Sequence, residues 1–544
     1  MRRRVMSMLV GAALAASTLL GAGPAAADTP PVEFGDDWHD PVTAAPPVPK
    51  PHTKSCEVTV AEAQFKDFTP YKGDYAPPAK CGKGRWGKVV LRLDGKVKGR
   101  QYDRLGYLRI GGVEVLRTST PEPSVDGITW SVEKDVTRYR ETLSRDQQVE
   151  MLIGNVVNDT YTGIIDVKAT LTFYEAAKPT TAPDRVIPLG DARGDGSDGS
   201  QSGGGAALTT PRNSERIVAE VYATGSGGGC EEYWYLTVPD AAPYSCKADH
   251  GPYREVQVKV DGQLAGIAAP FPTVWTGGWS NPFLWYVIPG PRAFDIKPIE
   301  YDLTPFAGVL NDGRPHRVEV SVVGVPEAQT GWSTPVNVLV WQDEKSDRVT
   351  GRLTGHQEST PTNTSKYTPG TGGDETHRLD TEGGHRLHVS GYVNTSHGRV
   401  ATTVTRSLAN TSLHRWTDGE STDALKATWT DRETVTTGRR AVRADRTYTM
   451  DGTTTLGAGD RLRTRISLGD RAESVTRTGG RRTGWSVLDD RYDGDATYTA
   501  NVPRDQRHAV GTSRERYRLV GDTGCYDRTL STVQGTLTED RRRC

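Results

Sequence analysis

The stretch Gly99–Leu143, GRQYDRLGYLRIGGVEVLRTSTPEPSVDGITWSVEKDVTRYRETL, alternates as a half-buried sheet does. Leu105, Tyr107 and Arg109 fall on one face and Leu108 and Ile110 on the other, while Gly111-Gly112 predicts a hairpin turn into Val113–Arg117. Asp103 stands at the mouth of the first strand. A carboxylate there can reach a ligand without full desolvation, or it can serve as an ion-pair partner for Arg104 or Arg109.

The same grammar runs outward in both directions. Gly, Thr and Pro are abundant, strand-like runs recur between Gly, Pro and Asn-Asp-Gly punctuation, and no long segment holds apolar residues at helical spacing. The fold class is all-β. A chain of 544 residues exceeds what one core organises. Met1-Arg-Arg-Arg, the apolar run Val5–Gly23 and Ala25-Ala26-Ala27 form a secretory signal peptide over residues 1–27. No later run is long enough to span a membrane, so a protein outside the cytoplasm, without membrane association, is expected. Residues 28–54 are proline-rich and extended, 190–205 form a Gly/Ser-rich connection, and 345–384 read as a linker. Between these breaks lie bodies at 55–189, 206–344 and 385–544.

The first two bodies share one plan. Val132-x-x-Asp135-Val-Thr is followed by Leu143, and Ile299-x-x-Asp302-Leu-Thr by Leu310, with eight residues from Asp to Leu in both. Val89-Val-Leu-Arg-Leu precedes Asp103 by about the interval that separates Ile217-Val-Ala-Glu-Val from Glu232. Asp103 and Glu232 are therefore expected at equivalent places in two tandem jelly-roll β-sandwiches, followed by a third β-rich C-terminal domain. Side by side, two such repeats would turn both carboxylates toward one cleft.

Charge and cysteine usage narrow the function. With 67 basic and 68 acidic residues there is no bulk field to attract nucleic acid or an anionic membrane. The six cysteines fall into close pairs, Cys56 with Cys81, Cys230 with Cys246 and Cys525 with Cys544, an even set suited to disulfides in an oxidising compartment. His377, His385 and His388 lie in or beside the expected linker, and neither H-E-x-x-H nor paired-cysteine spacing marks a metal, so no metal or cofactor is expected.

The opening segment resembles the peptide:N-glycanase A family, whose members carry K-G-R-Q-x-D-R, G-G-V-E-x-L-R, T-x-E-P, G-I-x-W and K-D-x-T-R-Y in that order. Here these stand at Lys98–Arg104, Gly111–Arg117, Thr120–Pro123, Gly127–Trp130 and Lys134–Tyr139. The family's D/E-E-F/Y-W-Y block falls on Glu231–Tyr235 and selects Glu232 over Glu231. More distantly, the bacterial peptide:N-glycanase F group has W-D-R-Y and G-C-A-E-W-C, which align with Asp103-Arg104 and Gly229–Glu232. That group also uses a glutamate after the strand equivalent to Met151–Ile153, where this chain has Asn155. The resemblance thus implies a two-carboxylate site, with Asn155 either at the substrate or in a turn.

Other family blocks bring Glu122 and Trp130 near Asp103, Trp130 being equally readable as core. Arg104 would orient a carboxylate, stabilise an oxyanion, or form a surface ion pair. In VWTGGWSNPFLW, Trp275 and Trp279 are candidate platforms for sugar faces, and Trp279-Ser280 replaces one residue of the family's T-G-G-I-N-P-x-L-W by two. Trp285 reads as core. Ser390–Leu408 resembles the family's G-W-V-x-S-S-H-G-x-I-T-T-x, and the last body is assigned no catalysis.

The resemblance implies a secreted amidase that hydrolyses the bond between asparagine and the first N-acetylglucosamine of an N-glycan. It would leave aspartate and release a glycosylamine from an N-glycosylated peptide or protein. Asp103 would be the principal catalytic carboxylate and Glu232 the second, with base and acid not distinguished. A monomer is favoured. A glycoside hydrolase, which also uses two carboxylates, and a non-catalytic sugar-binding protein are the competing classes.

Overall fold

The structure is a computed structural model in which residues 34, 37–81, 86–176, 181–191, 205–225, 230–277, 279, 281–326, 331–371 and 375–544 are described. The expected signal peptide and most of the 190–205 connection lie outside the described residues. No described helix is long and apolar enough to cross a membrane.

The first body is built from β1 (Ser55–Phe65), β2 (Tyr71–Tyr75), β3 (Trp86–Lys98), β4 (Leu105–Ile110), β5 (Val113–Ser119), β6 (Ile128–Asp135), β7 (Gln147–Ile153) and β8 (Ile164–Glu175). They form two four-stranded antiparallel sheets, ordered β1-β8-β3-β6 and β2-β7-β4-β5. Period-2 alternation decides which side chains meet between the sheets: Leu91, Leu93, Leu108, Ile110, Met151, Ile153, Leu171 and Phe173 are all buried. Each such aliphatic or aromatic residue contributes on the order of 1.5–3 kcal/mol on leaving water. Gly111 and Gly112 make the expected β4–β5 turn with φ of 59° and 78°, a geometry that favours glycine at both positions.

The second body uses β9 (Arg185–Asp191), β10 (Ala206–Leu208), β11 (Ser214–Val221), β12 (Thr224–Gly225), β13 (Glu255–Val260), β14 (Gln263–Ala268), β15 (Ile299–Asp302), β16 (His316–Val323), β17 (Trp332–Ser333) and β18 (Pro335–Gln342). Its four-stranded sheets are ordered β10-β16-β13-β14 and β15-β11-β18-β9, with β12 and β17 forming a separate pair. Residues 185–189, expected at the end of the first body, belong instead to the second, because β9 pairs with β18.

Equivalent hydrogen bonds recur in the two bodies. The Val89 N–H donates to Thr137 Oγ1 at 2.9 Å and the Ile217 N–H to Thr304 Oγ1 at 3.2 Å. Val136 N–H returns to the Val89 carbonyl, as Leu303 N–H does to that of Ile217. Asp135 and Asp302 each accept from the backbone N–H of the threonine two residues on, which turns both chains at the same place.

The bodies meet along β5, whose seven residues are all buried. Glu114 and Asn337 exchange two hydrogen bonds there, and the Ser119 N–H donates to the Ala293 carbonyl.

The last body is one eleven-stranded antiparallel sheet. It begins earlier than expected. Residues 345–384 are not a linker: they contain strands Thr350–Glu358 and Thr362–Thr368 and the start of Thr376–Thr395. Threonine favours strands, but Thr362–Thr368 has no fully buried residue, so no hydrophobic alternation marks it in sequence. His377, His385 and His388 accordingly sit on the Thr376–Thr395 strand, His377 against Asp418 and His385 against Glu255.

This sheet grips the segment between β14 and β15. Trp279 packs over Gly452, Trp285 stacks on Tyr492 with centroids 4.6 Å apart, and Phe283 meets Tyr498 at 5.3 Å. Asn281 Nδ2 donates to the Ala496 carbonyl, and Arg292 pairs with Asp470 at 2.6 Å. Trp38 and Ala44, from the proline-rich N-terminal segment, are buried as well. All three cysteine pairs form, with Cα–Cα separations of 5.9, 5.4 and 5.6 Å.

Candidate active site

Asp103 lies on the connection from β3 to β4, and Glu232 on the corresponding connection of the second body, between β11 and β13. Glu232 does not ride on a strand. Cys230–Leu236 forms 3₁₀ turns broken at Tyr233 (φ −117°, ψ 36°), tied down by the Cys230–Cys246 disulfide.

The neighbouring glutamates have opposite fates. Glu231 is buried, gripped by Arg254 through Nε at 2.9 Å and Nη2 at 2.6 Å, and it accepts from Trp332 Nε1 at 2.5 Å. With its carboxylate filled, Glu231 is an anchor. Glu232 is only half-buried, and the charge on Asp103 bears on it.

Asp103 is 9% exposed, and its Oδ2 accepts from the Gly277 N–H at 2.8 Å. The Thr276 hydroxyl lies 3.3 Å from the same oxygen but 2.6 Å from the Thr120 carbonyl, which is the better acceptor for its one proton. Arg104 and Thr120 lock the backbone beside Asp103 by mutual hydrogen bonds of 3.0 and 2.9 Å. A Cβ on residue 277 would come 3.0 Å from Asp103 Oδ2 and 3.4 Å from Glu122 Oε1. Glycine there lets one backbone N–H approach between two carboxyl groups.

Asp103 and Glu122 stand together at Gly277, and the charge on Asp103 acts on Glu232 as well. Burial raises Asp103 to about 6, against the opposing pull of the Gly277 hydrogen bond and of Arg104's charge. Glu232 is pushed up to about 8 by burial and then by the charge on Asp103. Glu122 also reaches about 8, by burial and by Asp103, with Arg504, Arg507 and the Tyr286 hydroxyl pulling the other way. Near neutral pH Asp103 is ionised, and Glu122 and Glu232 are protonated.

The remaining expected site residues divide. Trp275 is half-buried, beside Thr276 in the chain. Trp279 is buried against Gly452 of the last sheet. Trp130 is core: its ring covers Gly95, where a Cβ would fall 2.3 Å from a ring carbon. Asn155 is fully buried and spends its amide on the Phe65 and Gly163 carbonyls and on the Val156 N–H, so its place is a turn and not the substrate. Arg104 is neither a surface residue nor a direct partner of Asp103. Its guanidinium donates to Gln101 Oε1 at 2.7 and 3.2 Å and lies 3.7 Å over the Tyr102 ring, acting on Asp103 through charge.

The two-carboxylate expectation is thus corrected, since Glu122 supplies a third beside Asp103. Gly277 and Thr276 were missed, because they reach Asp103 from the second body and no spacing in the chain reveals that.

Residues 45–359 match the model of the family described as peptide N-acetyl-beta-D-glucosaminyl asparaginase amidase A. The chain is 30% identical over 403 residues to peptide-N4-(N-acetyl-beta-glucosaminyl)asparagine amidase A of Prunus dulcis, covering 69% of this chain and 68% of that protein. Among solved structures, peptide:N-glycanase F, a glycosylasparaginase from Flavobacterium meningosepticum, is similar over 53% of this chain and 96% of its own, at 12% identity and a TM-score of 0.35. PNGF-II is similar over 53% of this chain and 66% of its own, at 14% identity and a TM-score of 0.36. On the family match and the almond relative, the chain belongs to the peptide N-acetyl-beta-D-glucosaminyl asparaginase amidase A family.

Proposed function

We propose that this protein is a secreted amidase that hydrolyses the asparagine–N-acetylglucosamine bond of N-glycopeptides or N-glycoproteins, acting as a monomer. The observation that carries the reading is the placement of Asp103 and Glu232 on equivalent connections of two repeats, where burial pushes Asp103 up to about 6 and Glu232 up to about 8. Carboxyl groups whose environments separate their proton affinities supply a base and an acid at one pH. We read the shared strand order, 1-8-3-6 facing 2-7-4-5, as that of tandem jelly rolls.

Between pH 6 and 8 Asp103 is ionised and Glu232 protonated. Asp103 takes a proton from water as its oxygen attacks the side-chain carbonyl carbon of the glycosylated asparagine. Glu232 gives its proton to the nitrogen as the C–N bond breaks. Aspartate remains on the peptide, and the glycan leaves as a glycosylamine, which loses ammonia in water. Exchange with solvent returns the proton from Asp103 to Glu232. Trp275 is the platform proposed for the first sugar. The apolar N-terminal run, the small residues after it and the three disulfides support export.

Digesting a defined N-glycopeptide in ¹⁸O water tests the reading by mass spectrometry. One heavy oxygen in a new aspartate is expected. Unlabelled asparagine bearing a single N-acetylglucosamine would mean a glycoside hydrolase, and intact glycopeptide would mean a binding protein.

A further inference from the structure

A cleft of about 1020 Å³ lies between the last sheet and the two sandwiches, and Asp103, Glu122 and Glu232 are not among the residues that line it. One side is a row across the last sheet. Tyr448, Asp470, Asp490 and Tyr517 are opposed in register on the strands Arg440–Gly457, Arg461–Thr478, Arg481–Thr499 and Val510–Gly521, so their side chains share one face. Arg446, two residues before Tyr448, belongs to the same face. Arg292 comes from the second sandwich: its Nε donates to Asp470 Oδ2 at 2.6 Å, and its guanidinium lies 4.5 Å from the Phe271 ring. The proline-rich N-terminal segment forms a further wall, pinned where the Ala44 N–H donates to Glu515 Oε2 at 3.1 Å and Arg528 Nη1 to the Thr43 carbonyl at 3.0 Å.

Asp470 and Asp490 are 2% and 4% exposed, yet Oδ1 of each has no hydrogen-bond partner among the described residues, and neither has the buried Nη1 of Arg446. All three residues line the cleft. Buried polar atoms without partners are costly, so acceptors and a donor left over in one cleft point to a ligand that meets both. Their mixture decides its class. A cation would be opposed by Arg292 and Arg446. An anion would be opposed by Asp470, Asp490 and Glu515; burial, and then Glu515 and Asp470, already push Asp490 well above the usual carboxylate range. A neutral molecule rich in hydroxyls satisfies both kinds of group, since each hydroxyl donates one hydrogen bond and accepts others. Tyr517, half-buried in the same wall, adds the kind of apolar ring that a sugar face covers.

We propose that this cleft binds a neutral oligosaccharide, whose hydroxyls donate to Asp470 Oδ1 and Asp490 Oδ1 and accept from Arg446 Nη1. The site goes beyond the amidase reading and does not depend on it, because the carboxyl groups assigned to hydrolysis do not line the cleft.

Isothermal titration of the full chain with a free oligomannose glycan tests the proposal without turnover. Asp490→Leu removes an acceptor and relieves the opposition to Asp470, so this variant is expected to melt no lower than the wild type. Arg446→Met removes the donor. Each is expected to weaken binding about tenfold or more, and Asp103→Asn to leave it unchanged. Wild-type affinity in either cleft variant, each shown by melting to be folded, overturns the proposal, as does absence of binding to the wild type. Loss of binding in Asp103→Asn alone would move the sugar to the proposed hydrolytic site and overturn it too. Calcium titrated alone, and an unglycosylated peptide, are expected to give no binding heat; heat from either that disappears in Asp490→Leu would make the cleft a cation or peptide site instead. Hydrolysis of a glycopeptide, measured separately, reports on the amidase reading.

Discussion

The backbone N–H of Gly277 donates to Oδ2 of Asp103 across 2.8 Å, so a loop of the second sandwich completes the surroundings of a carboxylate carried by the first. A Cβ at residue 277 would press on both carboxyl groups, 3.0 Å from that oxygen and 3.4 Å from Glu122 Oε1. Both oxygens sit at the ends of flexible side chains, so Gly277→Ala is expected to fold and to displace them. Turnover should fall about tenfold to a hundredfold, with melting changed by less than about 1 kcal/mol. Steady-state kinetics beside a thermal melt check this, and normal turnover would show that the close approach is incidental.

The carboxyl groups set a pH dependence. Asp103 must be ionised and Glu232 protonated, so kcat/KM should rise through about 6 and fall through about 8. Stability should respond with a definite sign. Glu122 and Glu232 bind protons more tightly folded than unfolded, so unfolding releases protons, and stability falls as pH rises from about 4.5 through about 8. Glu122→Gln and Glu232→Gln should therefore raise the melting temperature, more at pH 9 than at pH 5. Melts at the two pH values decide it, and equal shifts at both would contradict these assignments.

Glu231 and Glu232 should separate cleanly. Removing one partner of the buried Glu231–Arg254 pair strands the other charge and costs about 3–5 kcal/mol. Glu231→Ala and Arg254→Met are expected to be strongly destabilised under denaturant, whereas Glu232→Gln folds normally and loses turnover. A stable, inactive Glu231→Ala would reverse the two roles.

A chain ending at Gln342 should not fold. It would expose Trp279, Trp285, Phe283 and Trp234, each now packed on the final sheet and each contributing about 1.5–3 kcal/mol of burial. It would also free the loop that carries Thr276 and Gly277. Denaturant unfolding of the truncated chain is the check, and a cooperative transition with wild-type turnover would show that the sheet is dispensable.

Much of this architecture is legible from residues alone, and the exceptions share a cause. The repeat is readable because Asp135-Val-Thr and Asp302-Leu-Thr recur with the same interval to a buried leucine, and Asp103 and Glu232 follow from it. The strands at Thr350–Glu358 and Thr362–Thr368 are hidden because backbone pairing, rather than a buried face, defines them. Asn155 looks like a polar group awaiting a substrate until its amide is seen to be filled by backbone partners. Trp279 looks like a sugar platform until the sheet closes over it. Glu122 and Gly277 meet only through the docking of separate bodies, which local pattern does not encode.

The most direct test of the central claim is turnover of one N-glycopeptide by Asp103→Asn, Glu232→Gln and the double variant, each shown by melting to be folded. Each single change should lower turnover by about a hundredfold to ten-thousandfold. The double variant should be little worse than the poorer single one, because two groups acting on one bond do not contribute additively. Near-normal turnover in folded Asp103→Asn would contradict the site.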